Sequence, residues 1–229
     1  MRSILFDMDG VLVDVRRSYL VAIQETVVHF SKNGISLEEI KSTRNRGGLN
    51  NDWDLCEAVL KDRGVQPAKS EIIAVFQSFY LGSDQAEVEF KGLINREKAF
   101  IKMEILGELI RSWTLGVVTG RPRPEAVFTL KKLELWPFFK TCITADDIPT
   151  GKGKPDPWGI LLALERIGAD LAYYVGDTVD DMLAACASGL PAVGIAHDPE
   201  NRRRQREILR KAGAKAVLND VNEIMEVIT

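Results

Sequence analysis

The stretch Ile4-Leu5-Phe6-Asp7-Met8-Asp9-Gly10-Val11 constrains this chain more than any other. An apolar run ends in two carboxylates two residues apart. A glycine follows, then a second apolar run, Val11-Leu12-Val13. A run bounded in this way predicts a buried strand. Period two points the Asp7 and Asp9 side chains the same way if the extended form persists. Two like charges at the end of a buried strand are costly unless something positive sits between them. A divalent cation meets that need, because hard cations take carboxylate oxygens. Gly10 lets the chain turn sharply away and leaves room for a ligand. A strand end with Asp caps and a glycine turn would read the same by itself, so the remaining chain has to decide.

Two textures follow. Residues 14 to about 88 read as almost wholly helical. Tyr19, Ile23, Val27 and Phe30 share one helical face, and Gly34 is a stop. Ser36 and Glu39 form the pattern of a capping box. Further helices are expected from about Asp52 to Gly64 and from about Ser70 to Tyr80. A polar, glycine-containing loop lies between Arg44 and Asn51. From about Glu89 onward, helices alternate with strands, starting with the helical stripe Met103, Leu106, Ile110 and Trp113. Strands are expected at Leu115 to Thr119, Thr141 to Thr144, Ala172 to Val175, Pro191 to Ile195 and Ala216 to Leu218. Helices lie between them, and a last one closes the chain from Val221 to Val227. Such alternation predicts an α/β fold, a parallel sheet with helices on both faces. The expected division is a core of residues 1–14 and 90–229, interrupted by a small all-helical domain of residues 15–89.

Composition excludes several function classes. Of 229 residues, 45% are hydrophobic, enough for a substantial core. The formal net charge of -3 argues against a nucleic-acid binder. The basic run Asn201 to Arg206 reads as a solvated helix face. No apolar run approaches a membrane span, and the N-terminal one is broken by Asp7 and Asp9, unlike a secretory signal. Cys56, Cys142 and Cys186 are far apart and odd in number, as expected of reduced thiols in the cytoplasm. With only His29 and His197, a zinc site or a Ser-His-Asp triad has few candidates. Carboxylates, lysine and hydroxyls are left to do the chemistry.

In an open parallel sheet, ligands bind beyond the carboxyl ends of the strands. The residues that follow successive strands are therefore the candidates. They are Asp7 and Asp9; Thr119, Gly120 and Arg121; the loop Lys152-Gly153-Lys154-Pro155-Asp156-Pro157; and Gly176-Asp177-Thr178-Val179-Asp180-Asp181. Each piece alone has a bland reading as a turn, a cap or a solvated lysine. Together they suit phosphoryl transfer. A carboxylate can attack phosphorus, and a second can protonate a leaving alcohol and then deprotonate water. Asp7 and Asp177 can supply carboxylates to Mg²⁺, and a lysine can meet a phosphoryl oxygen, with Lys152 a rival to Lys154.

These stretches resemble the four motifs of the haloacid dehalogenase (HAD) superfamily. Asp7-Met8-Asp9-Gly10-Val11 is similar to the first and Val118-Thr119-Gly120 to the second. Lys154-Pro155-Asp156-Pro157 is similar to the third, and Val175 to Asp181 to the fourth. The helical insert straight after the first motif is like the C1 cap of subfamily IA, which contains phosphoglycolate phosphatases and beta-phosphoglucomutase. The resemblance implies a HAD-like Rossmannoid core with a C1 cap, and Mg²⁺ as cofactor. It implies Asp7 as nucleophile and metal ligand, and Asp9 as general acid/base with its backbone carbonyl on the metal. Thr119 would bind the phosphoryl group and Lys154 would steady it. Asp177 would be a metal ligand, and Asp181, acting directly or through water, fits the second acidic position better than Asp180. Dehalogenases and phosphonatases of the superfamily lack the acid that Asp9 supplies, which favours phosphate esters here. Gly120-Arg121-Pro122-Arg123 departs from the Asn-Lys of many phosphoglycolate phosphatases. The loop Gly47 to Trp53 resembles a subgroup of uncharacterised members, some named imidazoleglycerol-phosphate dehydratase. A dehydratase of that kind relies on many histidines, and this chain has two.

The reading is a phosphatase of a small phosphorylated metabolite working through an aspartyl-phosphate. The alternatives are a phosphomutase with the same intermediate and, from another class, a binding or regulatory module on this fold. Gly120 and Arg121 are expected to bind substrate. In the helical insert, Arg44, Arg46, Asn51 and Trp53 are expected to read the leaving group, against the plainer role of a helix-to-helix connection. No nucleic-acid or membrane partner is expected, and a homodimer is left open.

Overall fold

The structure, a computed structural model, describes residues 2–44, 51–82, 90–169 and 171–228. The first strand, β1, is Arg2–Phe6, and its last four residues are buried. Strand pairing stops at Phe6, where the chain turns through Gly10 at φ 75 to a short strand β2, Val13–Asp14.

The chain then forms a helical unit, Val15–Glu97. Its helices are α1 Tyr19–Ser31, α2 Leu37–Arg44, α3 Asp52–Asp62 and α4 Lys69–Tyr80. The Ser36 capping box forms: Ser36 N–H donates to Glu39 Oε2 (2.9 Å), and Glu39 N–H donates to Ser36 Oγ (3.1 Å). Tyr19 and Ile23 point into the unit, with Tyr19 stacked on Tyr80 at 4.2 Å between ring centroids. The unit extends past residue 90 because a 3-10 turn, Leu93–Arg96, buries Ile94 and leads to the buried Glu97. That carboxylate accepts from Ser18 Oγ and Tyr80 Oη, both at 2.9 Å, which satisfies a charge that would otherwise be expensive to bury.

The second unit is Met1–Asp14 with Lys98–Thr229. Strand β3, Lys98–Ala99, pairs antiparallel with β2. There follow α5 Met103–Leu109, β4 Thr114–Val118, α6 Arg123–Lys132, β5 Phe139–Ile143 and α7 Trp158–Ile167. The chain continues with β6 Leu171–Gly176, α8 Val179–Ala187, β7 Ala192–Ile195, α9 Arg202–Lys211 and β8 Ala216–Leu218. It ends in a 3-10 segment, Val221–Glu226, rather than an α-helix. The Met103 stripe also ends early: α5 stops at Leu109, and Ile110 is 49% exposed. Trp113 leaves the helix to pack edge-on against Tyr173.

The larger sheet has the order β5-β4-β1-β6-β7-β8 with every neighbour parallel. Its core includes Leu5, Val118, Ile143, Ile160, Tyr174 and Met182. Phe6 lies opposite both Val117 and Val175, so β1, β4 and β6 end level with one another. That register brings Asp7, Thr119 and Asp177 to one rim. Among the described residues, no helix is long and apolar enough to cross a membrane.

Candidate active site

Asp7 is the first residue past β1. Its N–H still donates to Val175 O (2.8 Å), so the backbone is anchored while the side chain clears the sheet. Lys154, from the loop before α7, reaches across the rim. Its Nζ donates to Asp7 Oδ1 (2.6 Å), to Asp181 Oδ1 (2.7 Å) and to Tyr174 Oη (3.2 Å). Of the two rival lysines this is the one in the cluster, whereas Lys152 pairs with Asp156 at 3.0 Å.

Asp7, Asp177 and Asp181 each offer an oxygen within 4.8 Å of the others. Two glycines make this convergence sterically feasible. A Cβ on Gly10 would lie 2.1 Å from Asp177 Oδ2, and a Cβ on Gly176 would lie 2.3 Å from Asp181 Cβ. Asp181 is selected over Asp180 by the start of α8. Thr178 caps the helix, and Asp181 completes the box by accepting from Thr178 N–H (3.1 Å) and Oγ1 (2.6 Å). Its other oxygen is thereby turned toward Lys154. Asp180 is buried outside the cluster, and burial, then the Asp181 charge, raises its pKa.

Burial sets the protonation of the cluster. It raises Asp7 to about 7 against the pull of Lys154, and the charges of Asp181 and Asp9 add to the rise. For Asp181 burial works the same way, but Lys154 and the Thr178 donors prevail and hold it below the usual carboxylate range. Burial also opposes the charge on Lys154, yet Asp181 and Asp7 hold it well above the usual lysine value. Three carboxylates thus converge with one lysine among the described residues, an excess of negative charge made of hard oxygen donors. A divalent cation fits that set in both charge and ligand type.

Asp9 faces a different cation. The Arg121 guanidinium lies against its carboxylate: Nε donates to Oδ1 (2.9 Å) and Oδ2 (3.0 Å), and Nη2 donates to Oδ1 as well. Arg121 is buried, whereas the Asp9 side chain is 32% exposed. Arg121 Nη1 donates to Thr129 Oγ1 on α6 (3.1 Å). The guanidinium expected to bind substrate is thus engaged with Asp9. Thr119 is buried behind the rim, and its Oγ1 accepts from Arg121 N–H (3.2 Å). Gly120 is exposed, and a Cβ there would meet nothing within 4 Å.

In the helical unit, Arg44 forms an ion pair with Asp52. Asn51 is the N-cap of α3, accepting from Trp53 N–H (2.8 Å), and the Trp53 ring is half-buried. Arg46 lies outside the described residues. The helix-to-helix connection therefore already uses Arg44 and Asn51.

Sequence reasoning missed Tyr174. Its hydroxyl bonds both Lys154 and Asp181, the latter at 3.1 Å, beneath the cluster. A tyrosine in a fully buried strand must satisfy its hydroxyl, and that was the available signal. The neighbouring Tyr173 made the choice between the two undecidable from sequence.

Residues 4–195 match the family described as haloacid dehalogenase-like hydrolase. The chain belongs to this family. A phosphoglycolate phosphatase of Shigella dysenteriae is 30% identical over 210 residues, covering 86% of this chain and 81% of that protein. A Phytophthora nicotianae protein named imidazoleglycerol-phosphate dehydratase is 34% identical over 202 residues, covering 85% of this chain. The match spans only 43% of that relative's length. The crystal structure of a hydrolase from Pseudomonas syringae shares the HAD fold, with a TM-score of 0.74 at 23% identity over 100% of both chains.

Proposed function

We propose that this HAD hydrolase is a Mg²⁺-dependent phosphatase of a small phosphorylated metabolite, working through an aspartyl-phosphate. The observation that carries the reading is Lys154 Nζ bridging Asp7 and Asp181 beside Asp177, with a separately held Asp9 two residues from the nucleophile. The phosphatase name of the Shigella relative supports it. The dehydratase name has little support, because this chain has two histidines and its match covers under half of that relative.

Asp7, Asp177 and Asp181 are the residues that would hold the metal, which when bound would neutralise charge on Asp7 and the phosphoryl group. Asp7 attacks phosphorus and becomes the aspartyl-phosphate. Lys154 keeps its proton and orients Asp7. Because Thr119 Oγ1 accepts from Arg121 N–H, its own hydrogen is free to be donated to a phosphoryl oxygen. Asp9 protonates the departing alcohol and then takes a proton from the water that hydrolyses the intermediate. Reading of the leaving group is assigned to Arg44, Arg46, Asn51 and Trp53, of which Arg44 and Asn51 also serve the helical unit itself.

A phosphate-release screen with Mg²⁺ over sugar phosphates, nucleotides, phosphoglycolate and amino-acid phosphates tests the reading. Stoichiometric free phosphate from at least one ester, abolished by chelation and restored by Mg²⁺, is the expected result. Isomer without stoichiometric phosphate would make the chain a mutase. Turnover in excess chelator would remove the metal from the mechanism.

A further inference from the structure

The second motif departs from the Asn-Lys pattern by placing an arginine two residues after Thr119. That arginine is buried and turned toward the carboxylate of Asp9. We infer that Arg121 is a positioning residue that holds Asp9 through the guanidinium fork and leaves Oδ2 as the oxygen that carries the proton in both half-reactions.

The contacts on the two carboxylate oxygens are unequal. Oδ1 accepts from Nε and from Nη2, whereas among the described residues Oδ2 shares only the Nε hydrogen. A planar fork on a carboxylate fixes its plane as well as its position, which a lysine cannot do. The fork is itself anchored at its far end by Thr129 Oγ1 and along its backbone by Thr119 Oγ1. The side chain of Asp9, 32% exposed, sits past the end of β1, and only the backbone there is bridged, to Val13. Without the fork, its side chain would be free to turn among rotamers. Positioning of this kind matters because proton transfer needs a heavy-atom separation of hydrogen-bond length.

The step balances without any co-reactant, and it rests on the aspartyl-phosphate reading. As the bond from Asp7 to phosphorus forms, the bond from phosphorus to the leaving oxygen breaks, and the Oδ2 proton of Asp9 passes to that oxygen. In the second half, Oδ2 takes a proton from water as the water oxygen bonds to phosphorus and the Asp7 oxygen leaves.

The test uses the full chain and the variants Arg121→Lys, Arg121→Met and Thr129→Val, with Asp9→Asn as reference. Two readouts are taken. One compares kcat/KM, which reports phosphoenzyme formation, on an alkyl phosphate and on p-nitrophenyl phosphate, whose leaving group needs no proton. The other is the hydrolysis rate of phosphoenzyme formed from acetyl phosphate, a step the original leaving group has already quitted. Arg121→Lys and Arg121→Met should each lose about 10- to 100-fold on the alkyl ester and much less on the nitrophenyl ester, a fraction of the general acid–base contribution. Both should also slow phosphoenzyme hydrolysis. Thr129→Val, which leaves the fork on Asp9 in place, should shift both readouts the same way by less.

A raised KM on both esters with normal phosphoenzyme hydrolysis would overturn the inference and make Arg121 a substrate-binding residue. Equal kcat/KM losses on both esters with normal phosphoenzyme hydrolysis and a lowered Tm would overturn it in favour of a packing role. Full activity in Arg121→Lys would show that charge alone suffices and would likewise overturn it. If Asp9→Asn itself shows no leaving-group dependence, the acid/base reading fails rather than the role of Arg121.

Discussion

Two carboxylates two residues apart have been given opposite surroundings. Asp7 lies in a buried cluster with two further acids and is met by Lys154, a compact charge on a flexible stem. Asp9 is about a third exposed and is met by the planar fork of Arg121. The first setting raises the pKa of Asp7 by burial and makes the carboxylate depend on cations to stay ionised. The second fixes the orientation of Asp9 while leaving it reachable by solvent. Under the proposed mechanism Asp7 attacks, which benefits from shielding and countercharge, and Asp9 shuttles a proton, which benefits from a defined direction and access. One short loop supplies both because β1 ends at Phe6, so the two side chains are not bound to the two-residue alternation of that strand.

The largest effect should come from Asp7→Asn. Its amide cannot attack phosphorus, and loss of a nucleophile typically costs about 10⁴ or more in kcat. It should strike alkyl and nitrophenyl esters alike, as measured by steady-state phosphate release. Retention of a tenth of wild-type turnover would end the assignment of Asp7.

Asp9→Asn should separate the two roles. The alkyl ester should lose about 10²- to 10⁴-fold, the usual size of general acid–base catalysis, and the nitrophenyl ester far less in phosphoenzyme formation. Acid-quenched protein should retain trapped phosphoenzyme. If both esters fall equally and none is trapped, the two acids do not differ as described.

Tyr174→Phe probes the buried side alone. It removes the hydroxyl's bonds to Lys154 and to Asp181, and a hydrogen bond to a charged group is worth about 1.5–3 kcal/mol. Only part of this should reach the transition state, so a loss of about tenfold in kcat is expected on both esters. A leaving-group-dependent loss would mean that the two settings are coupled rather than separate.

The smallest effect belongs outside both settings. Asn51→Ala removes the α3 cap and should lower stability by about 1 kcal/mol, read as a fall in Tm or in denaturant midpoint. The kcat on p-nitrophenyl phosphate should not change. A selective loss of kcat/KM on the natural substrate, with Tm unaltered, would instead give Asn51 a part in specificity.

Much of the fold and of the site is legible in the sequence. Strand ends could be placed because a buried strand needs a continuous apolar run, and Ile4 to Phe6, Leu115 to Val118 and Ala172 to Val175 are such runs. The Ser36–Glu39 box was legible because a cap is a local hydrogen-bond pattern with fixed spacing. The Met103 stripe misled at its end because helical spacing continues on paper after the backbone has left the helix. Trp113 keeps the spacing but meets Tyr173 and the Arg2 guanidinium from a loop.

The sequence by itself determined the parallel α/β class, the family motifs and the order in which acids, hydroxyl and lysine follow successive strands, since those are properties of pattern and local chemistry. Tertiary structure alone decided three further things. It gave Lys154 and Asp181, which the motif resemblance already favours over Lys152 and Asp180, their contact with each other, because a loop and a helix start had to be docked on the sheet before either side chain had a direction. It placed the Tyr174 hydroxyl under the cluster, because the packing of α8 on β6 decides which side chain of the strand meets Asp181. And it turned Arg121 onto Asp9, a contact 112 residues apart in the chain. A long, flexible guanidinium carries no spacing that names its partner. Only the level ends of β1 and β4 bring the two within reach.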